Sequence, residues 1–85
     1  MRKLKVVYYI KSSGEDVEIA QTLEMTVVDK VADTLLDPET LYWYGVAFDC
    51  IEIQRLQDVI NSIAIACFND EYATGYITSI EEVKQ

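Results

Sequence analysis

Asp49-Cys50-Ile51-Glu52-Ile53-Gln54-Arg55-Leu56-Gln57-Asp58-Val59-Ile60-Asn61-Ser62-Ile63-Ala64-Ile65-Ala66-Cys67-Phe68-Asn69 is the stretch around which the chain is organised. At helical spacing Ile53, Leu56, Ile60, Ile63 and Cys67 step by three and four, which is one face of an α-helix. Val59 and Ala64 widen that seam, while Gln54, Arg55, Asp58, Asn61 and Ser62 fall on the opposite side. Asp49 and Glu52 have the spacing of a capping box, and Asn69 tolerates the left-handed conformation that closes a helix. An apolar stripe of this length needs a surface to cover, and the remaining residues supply one.

Leu4, Val6, Tyr8 and Ile10 alternate with Lys3, Lys5, Val7, Tyr9 and Lys11, the period of a strand buried on one face. Ser12-Ser13-Gly14-Glu15-Asp16 turns the chain, with Gly14 expected to supply a positive φ. A second strand follows, with Val17, Ile19, Leu23, Met25 and Val27 on its apolar side. A one-residue slip would turn a whole strand inside out, so two registers survive. One sets Lys3 opposite Glu24 and Lys11 opposite Asp16; the other sets Lys5 opposite Glu24 and Lys11 opposite Glu18. Either way the lysines of the first strand meet acids on the exposed face, which explains a basic first strand without phosphate binding.

Val27, Val28, Val31, Ala32, Leu35 and Leu36 form one side of a short helix, with Thr26 as its expected N-cap and its end set at Leu36 by Pro38. Leu41-Tyr42-Trp43-Tyr44-Gly45-Val46-Ala47-Phe48 has no polar alternation and is read as a third strand, buried on both faces. Ala73 to Ile80 reads as a fourth. The expectation is a single α+β domain over residues 1–85, a two-layer sandwich. Its four-stranded sheet, mixed or antiparallel, carries both helices on one face, in the order ββαβαβ.

The composition is 51% hydrophobic and 26% charged, which places the chain among folding proteins and not disordered ones. At 85 residues it buries roughly 60 to 65% of the surface of its unfolded state, a thin margin that a dimer interface would widen. No apolar run reaches the ~20 residues of a membrane span, and the cytosol is the default compartment. Cys50 and Cys67, about 25 Å apart along a helix, cannot pair with each other, and Cys67 on the seam is read as a small buried hydrophobe. The net charge is −8, and residues 12–83 hold fifteen acids against Lys30 and Arg55, a balance of −13. Direct nucleic-acid binding, which needs a basic footprint, is excluded on that ground. An ordinary acidic surface and one shaped for a basic protein partner both remain.

The sequence has no histidine, which removes the commonest general base, the Ser-His and Cys-His pairs and most zinc sites. Asp33, Asp37 and Glu39, and the adjacent Glu81 and Glu82, lack calcium-loop spacing and read as solvated surface. No enzyme activity, cofactor or metal is expected. The constellation with functional content is aromatic: Tyr9 on the first strand, with Tyr42, Trp43 and Tyr44 on the third, would give the sheet's outer face an apolar patch ringed by charge. The expected function is therefore a small acidic binding or regulatory domain that acts by protein–protein contact. Its most specific form is an inhibitor encoded by a phage or mobile element, which requires the acids to cluster on one face. The alternative is a homo-oligomeric structural or accessory module that pairs through its sheet face or edge.

Overall fold

Leu4, Val6, Tyr8 and Ile10 are buried on one face of β1 (Arg2–Lys11), and the alternate residues turn outward. β2 (Glu18–Val27) runs antiparallel to it, with Lys5 opposite Glu24 and Lys11 opposite Glu18, so the second of the two registers holds. That register leaves a longer connection, and Gly14 does not take a positive φ as expected. The turn is held instead by Ser13, whose backbone N–H and hydroxyl both donate to Asp70, at 3.0 and 2.6 Å. The computed structural model describes residues 1–14, 17–37 and 51–84, except the side chains of 51–53.

After β2 comes α1 (Asp29–Leu36). Its expected N-cap, Thr26, remains on β2 because the pairing of Arg2 with Val27 keeps the chain extended to that point. Val28 takes the cap position without a side-chain bond. The helix ends at Leu36 as predicted, and Asp37 is extended, φ −66° and ψ 121°, as a residue before proline should be. The long helix, α2 (Ile51–Phe68), closes at Asn69 with φ 50°. The third-strand reading of Leu41–Phe48, the Asp49 cap and Cys50 lie outside the described residues.

β3 (Thr74–Glu82) returns along the free side of β1, antiparallel to it. Among the described residues the architecture is thus α+β, a three-stranded antiparallel sheet in the order β2-β1-β3 with two helices, elements ordered ββααβ. Ile77 and Ile80 are three apart, which a regular strand would send to opposite faces. Both are buried because the register shifts between Val7 and Tyr8, leaving Thr78 as the extra residue of a bulge whose hydroxyl donates to Val7 C=O at 3.0 Å.

One core unites the sheet's inner face with both helices: Leu4, Val6, Tyr8, Ile10, Ile77 and Ile80 pack with Ala32 and Leu35 of α1 and Leu56, Ile60 and Ala64 of α2. Both helices therefore lie on one face, as expected. Arg2 ties three elements at one end, donating from Nε and Nη2 to Glu82 of β3 at 3.0 and 2.8 Å and from Nη1 to Asp33 of α1. These bonds, Glu82 first, hold the guanidinium protonated, and Arg2 holds the Glu82 carboxyl below its ordinary value.

Candidate functional site

The outer face of the sheet is built from the odd residues of β1 and their cross-strand neighbours. Tyr9 lies opposite Ala20 on one side and Tyr76 on the other, and Val7 lies opposite Thr22 and Ser79. The rings of Tyr9 and Tyr76 stack with centroids 5.5 Å apart and planes 19° from parallel. The Tyr76 hydroxyl donates to Glu18 Oε2 at 3.2 Å, so its ring lies across the sheet surface. Around this apolar centre the charges alternate in sign: Lys5 stands opposite both Glu24 and Glu81, Lys11 opposite Glu18, and Lys3 reaches Glu24 diagonally at 2.9 Å.

Of the four predicted site residues, Tyr9 is on this face; Tyr42, Trp43 and Tyr44 lie outside the described residues. Tyr76 is the partner that sequence reasoning missed. Its alternation pattern placed it in a strand, but the bulge at Thr78 hides which β3 residue faces Tyr9.

The opposite face is covered unevenly. Ile60, fully buried, lies at the centre of the contact of α2 with the sheet. On the side of α2 toward β3, Gln57 donates from Nε2 to Gly75 C=O at 2.6 Å and to Asn61 Oδ1 at 3.0 Å, and Asn61 Oδ1 accepts the Gly75 N–H at 3.0 Å. Asn61 thus belongs to a helix–strand contact and not, as expected, to a purely solvated face.

On the side toward β2 the coverage stops short. Leu23, Met25, Val31, Leu35, Leu56 and Val59 line an open apolar groove of about 390 Å³, with Arg55 at its margin. The long helix packs on β3 and β1, and on the inner face of β2 Leu23, Met25 and Val27 are only partly buried, while Val17 and Ile19, and Val59 of the helix, are exposed by 40, 37 and 50%. Cys67 shares that fate. It is exposed, which corrects the buried reading: it lies in the last turn of α2, between exposed Ala66 and half-buried Phe68. Tyr8 nearby donates to Gln21 Oε1 at 2.9 Å, and burial first, then the neighbouring Cys67, pushes its phenol up.

Among the described residues no group of three or more His, Cys, Asp or Glu could hold a metal ion, and no helix is long and apolar enough to cross a membrane. Comparison with protein-family models, with curated proteins and with solved structures gave no match.

Proposed function

We propose that this chain is a small acidic protein-binding domain that acts by contact, with the outer face of its sheet around Tyr9 and Tyr76 as the contact surface. The observation that carries the reading is the stacked tyrosine pair, an apolar centre set on a sheet face whose other side holds both helices. Aromatic side chains with polar tips supply large, rigid contact area and are enriched where binding energy concentrates. Val7 and Ala20 extend the centre, and the lysines and glutamates around it form a polar rim. Because Lys3, Lys5 and Lys11 interleave with Glu18, Glu24 and Glu81, the reading rests on the aromatic pair and not on an acidic mimic of nucleic acid. The partner surface that suits this face is flat and of mixed charge, with an apolar patch at its centre.

The test is affinity capture from lysate of the source cells by the tagged chain and by Tyr9→Ala, Tyr76→Ala and Val59→Lys, with far-UV circular dichroism as the check on folding. A partner held by the unmodified chain and by Val59→Lys, but lost from both tyrosine variants, supports the reading. A partner retained equally by folded tyrosine variants moves the contact surface elsewhere.

A further inference from the structure

The two edges of the sheet are treated differently by the rest of the chain. The β3 edge is guarded: the outward N–H and C=O of Gly75 are taken by Asn61 and Gln57 of α2, and the Thr78 bulge breaks the regularity of the strand. β2 has fewer such guards among the described residues, its charged side chains being Glu18 and Glu24. It runs for ten residues without proline, lysine or bulge, and among the described residues it pairs with β1 alone.

The ladder fixes which backbone groups that edge presents. Ser12 N–H donates to Val17 C=O, and in an antiparallel pair the bonded positions recur every second residue, so Ile19, Gln21, Leu23, Met25 and Val27 bond to β1. Glu18, Ala20, Thr22, Glu24 and Thr26 direct their N–H and C=O groups away from it.

We propose that a second copy of this chain pairs with β2 through its own β2, antiparallel about a two-fold axis at Thr22, giving a continuous six-stranded sheet. Charge and face select this register. Centring the pair on Gln21 would set Glu18 against Glu24 of the other copy, and centring it on Glu24 would set two glutamates face to face. With Thr22 at the axis, Glu18 meets Thr26, Ala20 meets Glu24, and every outward backbone group of β2 finds a partner. A centre at Leu23 also avoids facing acids but leaves Glu18 unpaired at each end.

On the inner face the Thr22 register places Val17 beside Val27 and Ile19 beside Met25 of the other copy. The exposed apolar half of each β2 is thereby laid against the half-buried half of its mate. The outer faces then join into one surface carrying two Tyr9–Tyr76 pairs, independently of what that surface binds.

Light scattering across a concentration series, with two substitutions at exposed Ala20, tests the arrangement. The unmodified chain is expected to approach twice its 9.7 kDa at about 100 µM. Ala20→Glu sets like charges opposite at two symmetric places and should weaken association roughly 5- to 30-fold, less so in high salt; Ala20→Lys should tighten it. A monomer at every concentration overturns the proposal. So does a dimer that responds alike to Ala20→Glu and Ala20→Lys while both remain folded.

Discussion

At Gly75 an added Cβ would stand 2.2 Å from Ile60 Cγ2 and within 3.3 Å of the backbone oxygens of Tyr9 and Ile60, so helix and strand meet there without room for a methyl group. Gly75→Ala should therefore lower unfolding stability by about 1 to 3 kcal/mol, read from urea melts, with no loss of secondary structure. A change within about 0.3 kcal/mol would mean that α2 does not approach β3 as described. Cys67 teaches the complementary lesson. Helical periodicity gives the angle of a side chain about the helix axis, and Cys67 shares its seam with the buried Leu56 and Ile60. It does not give where along the helix the covering layer ends, and Cys67, in the last turn of α2, is exposed.

Elements show the same division between what a local pattern encodes and what only packing decides. The alternation of β1 and β2 was enough to restrict the hairpin to two registers, one of which is present. Asp37 and Asn69 likewise carry their helix ends in their own backbone preferences. The bulge at Thr78 and the Gln57–Asn61–Gly75 contact have no such local signal, because each answers to a neighbour distant in sequence.

Asp70 shows how two distant turns become one unit. It accepts the hydroxyl and backbone N–H of Ser13 and the backbone N–H of Tyr72, and these bonds, the Ser13 hydroxyl first, hold its carboxyl below the ordinary value. A lowered carboxylate contributes stability that is full above its unfolded value of about 4 and is lost as pH falls through its folded value. The unmodified chain should accordingly be more stable than Asp70→Asn by a constant margin from about pH 5 to 8, and the margin should close below about pH 4. A margin unchanged in acid would show that Asp70 does not clamp the hairpin to the end of α2.

Across the whole molecule the decisive feature is where the helices stop. Among the described residues α2 lies over β1 and β3 and closes the β3 edge at Gly75, while the inner face of β2 is only partly covered, beside a groove lined by Leu23, Met25 and Val59. Among the described residues β2 pairs with β1 alone, and a further strand along β2 would not cover the stacked Tyr9 and Tyr76 rings. The tyrosine face was half legible in the sequence: Tyr9 follows from the period of β1, whereas Tyr76 requires the strand order. The uneven edges were not legible, since they follow from a sideways placement that no single periodicity contains. Amide hydrogen exchange at low and high protein concentration reads this arrangement directly. Gln21, Leu23 and Gly75 should be protected at both concentrations, whereas Ala20, Thr22 and Glu24 should exchange freely when dilute and become protected as concentration rises. Free exchange of those three amides at every concentration, or protection that dilution does not relieve, would contradict an edge left open for a second copy.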